Sequence, residues 1–297
     1  MIKSPLNSNA GQTKLIETFE SKKIISAYKK MNIDVQRFFL EDSISLYKCV
    51  KTGYRFYYPF FSIGDARFYD DLSKNRKSYY SHRWEHNVAL KFIDKSDSVL
   101  EVGSGFGLFL DLLKQKNVKA KGLELNPHAV KQCKSQGFNV EEKLIQQEAL
   151  EHNSEYSIIC YFQVLEHITE VHYFIKSSVD ALKEGGYLII GVPNNNPYLF
   201  VSDKYHTLNL PPHHAGLWNK ESLIALQNIF PLKLEEMVFE PLEKSYKYFL
   251  NFHIHNSNIF IKTVLKTLNK YIPKILKKVL CKFIKGRNVL VVYKKVS

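Results

Sequence analysis

The chain has 297 residues, 45% of them hydrophobic, and a formal net charge of +13. That length can bury one sizeable core, while no apolar run reaches bilayer length or forms the apolar region of a secretory signal. Cys49, Cys133, Cys160 and Cys281 are scattered, with no CxxC pair. They read as reduced thiols of a cytosolic protein, which excludes a disulfide frame and a cysteine zinc site. Charge is uneven. Of the 42 Lys and Arg, 13 lie from Lys244 onward with no Asp or Glu, leaving 29 against 29 acids in residues 1–243. Such asymmetry points the tail, not the rest, at an anionic partner.

Residues 1–40 are polar and mixed, and predict a loose start followed by a helix. Residues 44–62, SISLYKCVKTGYRFYYPFF, are aromatic with a Thr-Gly turn in the middle, and predict a hairpin. The spacing of Trp84, Val88, Ala89 and Phe92 predicts one helix over 70–94. From residue 97 strands and helices alternate. Strands are predicted at 97–102, 119–125, 138–142, 156–162 and 187–192, and helices at 107–116, 127–137 and 169–183. An irregular stretch rich in Asn, Pro and His fills 193–218. A helix capped by Asn219 follows over 219–230, then strands at 232–240 and 288–295. This alternation implies a doubly wound α/β fold with a mostly parallel seven-stranded sheet. The division it suggests is an N-terminal extension (1–95), a main domain (96–242 plus 288–297) and a basic helical insertion (243–287).

In such sheets ligands sit at the carboxyl ends of the strands, near the switch in strand order. The loop after the first of these strands reads Glu101-Val102-Gly103-Ser104-Gly105-Phe106-Gly107. Its glycines permit a sharp turn and close approach of a ligand to the backbone. Leu108 stands where a dinucleotide fingerprint wants its third glycine, which argues against a dinucleotide-binding oxidoreductase or epimerase. Glu124 ends the next strand about 20 residues on, where an acid can accept hydrogen bonds from ribose hydroxyls.

VLEVGSGFG, GLELNP, YFQVLEHI and LKEGGYLIIGVPN, in that order, resemble the motifs of class I S-adenosylmethionine-dependent methyltransferases over about residues 97–240. The resemblance implies S-adenosyl-L-methionine as cofactor and S-adenosylhomocysteine as product. It implies that Glu101 approaches the methionine amino group and that Gly103, Ser104, Gly105 and Phe106, with Gly107 closing the loop, wrap the methionine. Glu124 would hold the ribose with Leu125 beside the adenine, and Phe162 and Gln163 would line the methionine tail. Tyr80 or Arg83, on the helix before the first strand, would meet the cofactor carboxylate. LIQQEAL (144–150) offers no acidic adenine contact.

The acceptor should enter over the loops after the fourth and fifth strands, where His167, His213 and His214 lie. Histidine suits proton removal from a hydroxyl at neutral pH. His167 either braces its loop or acts as base, and one of His213 and His214 is read as acceptor contact or general base. No metal site is expected, because no nearby carboxylate or cysteine completes the pair. LPPHH followed by Trp is similar to bacterial methyltransferases of polysaccharide and sugar biosynthesis, and the hairpin to the cysteine-rich modules of some sugar C-methyltransferases, here with Cys49 alone. The expectation is O-methylation of a sugar or lipid-linked glycan precursor. The alternatives are a lipophilic small molecule such as a quinone precursor, or a non-catalytic cofactor-binding protein. In 259–287, lysines at 262, 266, 270, 274, 278 and 282 run beside apolar residues. That pattern reads either as an element lying on an anionic membrane surface or as a packed helix pair with solvated lysines. Nucleic acid is not expected, since no RNA-binding module accompanies the lysines.

Overall fold

A computed structural model describes residues 2–7, 12–75, 81–196, 198, 200 and 205–297. The elements in chain order are β1 (Thr13–Glu20), α1 (Ser21–Lys29), β2 (Ser43–Cys49), β3 (Arg55–Tyr58), α2 (Ala66–Asn75), α3 (Trp84–Ala89) and β4 (Ser98–Val102). Then come α4 (Leu108–Gln115), β5 (Lys119–Leu123), α5 (Pro127–Ser135), β6 (Val140–Glu141), α6 (Ile145–Glu151), β7 (Tyr156–Phe162), α7 (Val171–Ala181) and β8 (Leu182–Pro193). The chain continues through β9 (Gly216–Leu217), α8 (Lys220–Ala225), β10 (Leu232–Pro241), α9 (Tyr246–Asn256), α10 (Ile259–Tyr271), α11 (Pro273–Phe283) and β11 (Lys285–Lys295).

The main sheet has the order β10-β11-β8-β7-β4-β5-β6. β4, β5, β6, β7 and β8 pair in parallel, and β11 runs antiparallel to both β8 and β10. The seven-stranded doubly wound fold read from the sequence is therefore present. Its strands are buried on both faces, so neighbouring residues serve opposite cores. Leu100, Ile159, Leu188 and Val291 pack with Phe174 and Ile175 of α7. Val99, Ile158, Ile189 and Leu290 pack with Phe109 and Leu113 of α4 on the other side. Strand order reverses between β4 and β7, which puts the switch point beside the glycine loop.

The N-terminal region differs from expectation in two places. Residues 13–20 form an edge strand ahead of the predicted helix, because pairing with β2 supplies what the sequence lacks: Phe19 alone of the strand is buried. The expected single helix over 70–94 is two helices. Arg83, before α3, is extended (φ −103°, ψ 154°), which ends helical continuity there. The predicted hairpin is β2 and β3, and β9 from the irregular stretch adds to it, giving a four-stranded sheet β1-β2-β3-β9.

α6 was not foreseen as a helix, and β8 starts five residues before the predicted strand, at Leu182. Gly185 takes φ +73° within β8, so the Gly-Gly pair bends a strand and does not close a helix. Asn219 caps α8 as predicted, accepting from Ser222 N–H at 2.9 Å. The helices α9–α11 have their own small core of Tyr198, Leu242, Tyr246, Phe249, Leu250, Ile254 and Leu276. α10 has no buried residue and α11 only Leu276. Ile259, Phe260, Tyr271 and Phe283 are therefore exposed beside the lysines. Among the described residues no helix is long and apolar enough to cross a membrane.

Candidate active site

The loop between β4 and α4 turns on three glycines at positive φ: Gly103 (+75°), Gly105 (+53°) and Gly107 (+78°). Gly103 and Ser104 N–H both donate to the Leu123 carbonyl at the end of β5. The Glu124 carboxylate fastens the loop from the other side. Its Oε2 accepts from Gly105 N–H at 2.8 Å, and its Oε1 accepts from Leu125 and Asn126 N–H, each at 2.8 Å. A Cβ on Gly103 would lie 2.5 Å from Val164 Cγ2. Gly103→Ala is thus expected to cost about 1–2 kcal/mol through the left-handed backbone and this contact, read as a lower midpoint in urea unfolding.

Glu101 is 4% exposed, and its Oε2 has no hydrogen-bond partner among the described residues. Burial first, and then the Glu124 charge, push its pKa well above the carboxylate range. Ser104 Oγ is likewise buried without a partner among the described residues. These groups line a cleft of about 930 Å³ that also takes in Phe106, Leu125, Phe162, Gln163 and Arg83. Phe162 is held edge-on by His86 and Phe109 at 5.0 and 4.9 Å. Tyr80 lies outside the described residues. The start of α6 closes one end of the cleft, where Gln146 Oε1 is buried with no partner among the described residues.

Gln163 adopts φ +57° directly after β7. Its Nε2 donates to Glu85 Oε1 at 2.7 Å and reaches Asn288 Oδ1 at 3.4 Å. Asn288 Nδ2 in turn donates to Glu240 Oε2 at 3.0 Å. Glu85 was hidden inside the predicted helix. Burial raises the pKa of Glu85, and that of Glu240.

A second chamber of about 1140 Å³ adjoins the cleft, and Ser81, Arg83, Gln163 and His167 line both. His167, His213 and His214 stand together in its wall, with ring centroids 4.6–5.1 Å apart. His167 sits on a single turn after β7 and joins the pair from 46 residues upstream. Sequence reading had treated the pair alone. The segments are tied by Ala215 N–H donating to the Glu166 carbonyl at 2.8 Å. His167 Nδ1–H donates to the His213 carbonyl at 2.6 Å, and Tyr69, which no sequence motif marks, donates to the same oxygen at 3.1 Å. Burial lowers the His167 pKa to about 4 and holds that of His214 well below the ordinary imidazole value, so both rings are neutral at pH 7. Burial likewise raises Glu166 to about 8. The same chamber is lined by Lys244, Lys247, Lys274, Lys277 and Arg287 from the helical insertion and β11, with Glu240 and Glu243 among them and Lys277 paired to Glu243 at 3.3 Å.

A methyltransferase-domain profile matches residues 75–232, more than half of the chain. The chain belongs to the class I S-adenosylmethionine-dependent methyltransferases. S-adenosyl-L-methionine is its cofactor, and the strand order above is that of the family's Rossmann-like sheet. A ubiquinone biosynthesis O-methyltransferase of Pseudomonas fluorescens is 28% identical over 170 residues, 50% of this chain and 71% of that protein. One of Pseudomonas putida is 25% identical over 223 residues, 66% and 91% of the two chains. Among solved structures, a SAM-dependent methyltransferase of Archaeoglobus fulgidus superposes with a TM-score of 0.52 at 18% identity. That match covers 77% of this chain and all of the other. The YcgJ protein of Bacillus subtilis gives 0.50 at 12% identity, covering 73% and all of the two chains. The likeness to polysaccharide and sugar methyltransferases finds no counterpart among these relatives.

Proposed function

We propose that this methyltransferase transfers a methyl group to a phenolic hydroxyl of an anionic, partly apolar small molecule of the quinone-precursor kind. The observation that carries this reading is the histidine wall of the chamber next to the cofactor cleft. A buried imidazole with a pKa near 4 is a weak base. It can align a hydroxyl and help a phenol, whose pKa of about 10 lies within reach, but it asks too much of a sugar alcohol. The excess of cations over acids in the chamber lining suits a carboxylate on the same acceptor, and the names of the Pseudomonas relatives agree.

The cofactor residues fit this arrangement. Glu101 has an unsatisfied buried carboxyl oxygen for the methionine ammonium. Gly103, Ser104, Gly105 and Phe106 form the cradle, and Glu124 keeps lone pairs for ribose hydroxyls. Gln146 Oε1, buried without a partner among the described residues, would accept from the adenine amino group, with Leu125 beside it. Gln163, fixed by Glu85, and Arg83 mark the passage between cleft and chamber. The cofactor supplies an electrophilic methyl; the chain positions the acceptor in line with it and keeps water out.

The test is transfer of labelled methyl to a panel of prenylated dihydroxybenzoates, sugar nucleotides and glycolipids. Product on the phenols alone is expected; product on glycans alone would return the sugar reading.

The exposed apolar residues and lysines of α10 and α11 support a second element, docking on anionic lipid, which suits a lipophilic acceptor. Each lysine near a charged surface contributes about 1 kcal/mol. Replacing Lys262, Lys266 and Lys270 with Ala should therefore weaken co-sedimentation with phosphatidylserine vesicles about 100-fold, with neutral vesicles bound poorly by either protein. Equal binding of both proteins to both vesicles would remove the docking role.

A further inference from the structure

We propose that His167, His213 and His214 form a site for a borderline divalent metal ion of the zinc kind, open to the second chamber. One ring nitrogen of each lies within 4.8 Å of the others. Zn–N bonds of about 2.0–2.1 Å at tetrahedral angles need nitrogens about 3.4 Å apart. Reaching that spacing requires the stacked His213 and His214 rings, 21° apart in plane, to turn toward a common point.

The Nδ1 atom of each ring already has a hydrogen-bond partner. His167 Nδ1 donates to the His213 carbonyl at 2.6 Å, and His213 Nδ1 to the Leu208 carbonyl at 2.7 Å. His214 Nδ1 donates to Asn209 Oδ1 at 3.1 Å. An oxygen acceptor at each Nδ1 favours the Nδ1–H tautomer, in which Nε2 is the ligating nitrogen. Histidines that ligate metals carry this outer bond almost without exception.

The Glu166 carboxyl supplies a second observation. It is 1% exposed, neither oxygen has a hydrogen-bond partner among the described residues, and Oε1 lies 3.9 Å from His167 Nε2. An ion beside it would give this buried group a partner. All-nitrogen donors select zinc, cobalt or nickel over magnesium or calcium, which want oxygen. Three protein ligands leave a position facing the chamber, as sites that take an exogenous ligand do. An ion held there takes the imidazole lone pairs that otherwise assist the acceptor hydroxyl, and its binding does not depend on the acceptor's identity.

The experiment uses the full chain, stripped with chelator and dialysed, without cofactor or acceptor. Zn²⁺ is titrated by calorimetry and Co²⁺ by visible absorption. One ion per chain is expected, with Co²⁺ bands of a four- or five-coordinate site and no competition from Mg²⁺. Asn209→Ala, which removes an outer bond, should weaken binding about 10–100-fold, and His214→Gln should abolish it. Circular dichroism and binding of S-adenosylhomocysteine report whether each variant folds. If His214→Gln does not fold, X-ray absorption on the Co²⁺-loaded wild type decides: three imidazoles in the shell uphold the site, fewer overturn it. Folded wild type that binds neither ion, or binding unchanged in both variants, also overturns it. Neither result touches the acceptor assay, which can fail or succeed separately.

Discussion

Glu124→Ala should weaken S-adenosylhomocysteine binding about 100-fold, close to 3 kcal/mol, while the far-ultraviolet circular dichroism stays that of the wild type. The carboxylate has two duties. It accepts three backbone N–H groups, from Gly105, Leu125 and Asn126, and in the proposed complex it also receives the ribose. Bonds to a charged acceptor contribute about 1.5–3 kcal/mol each. Without the carboxylate, the loop N–H groups turn to water, so part of the loss is the cost of re-ordering the loop on binding. Glu124→Gln separates the two duties. Its carbonyl oxygen can still take the Leu125 and Asn126 N–H groups, but its amide would face Gly105 N–H, donor against donor. An intermediate loss is therefore expected, read by calorimetry on both variants. Alanine binding within twofold of wild type would mean that the ribose is held elsewhere.

This part of the site was legible because it is local. Three glycines within five residues and an acid about 20 positions on are dictated by a strand-to-helix turn and the end of the next strand. Gly103, Gly105 and Gly107 do take the left-handed backbone that made glycine necessary. What was not legible depends on contacts between distant segments. Glu85 looked like one more polar residue of a helix, yet it faces Gln163 from 78 residues away. Tyr69 meets the histidines across 98 and 144 residues. His167 stands with His213 and His214 only because the turn after β7 and the Pro-Pro segment are laced together by the Ala215 amide. β1 was missed for the same reason. Its residues carry little alternation of their own, and the strand exists through its pairing with β2. The lysine stripe was visible, but not that its apolar neighbours stay largely uncovered, which is a matter of how α10 and α11 sit on the domain.

The same distinction between local pattern and assembled cluster sets the chain's expected response to acid. Glu148, on the helix the sequence did not reveal, is fully buried and sits between Lys121 and Lys143. Lys121 Nζ donates to both of its oxygens at 2.9 and 3.0 Å, Lys143 Nζ donates at 2.9 Å, and the Tyr156 hydroxyl donates a short bond. Burial alone would raise its pKa. The Tyr156 hydroxyl and then the two ammonium groups outweigh that and hold the carboxyl down from 4.5 to about 2. Such a fall corresponds to on the order of 3 kcal/mol of folding free energy at neutral pH. A folded-state pKa below the unfolded value means that this stability is fully present above about pH 5 and lost as the pH drops toward 2. Glu148→Gln keeps an acceptor for Tyr156 and removes the charge. Lys121 and Lys143 retain Glu141 and Glu151, so the chain should still fold. The expected result is a loss on the order of 3 kcal/mol at pH 7 in urea unfolding, with the difference from wild type shrinking steadily below pH 5. A difference that stays constant from pH 7 to 4 would show that packing of the side chain, and not its charge, carries the contribution.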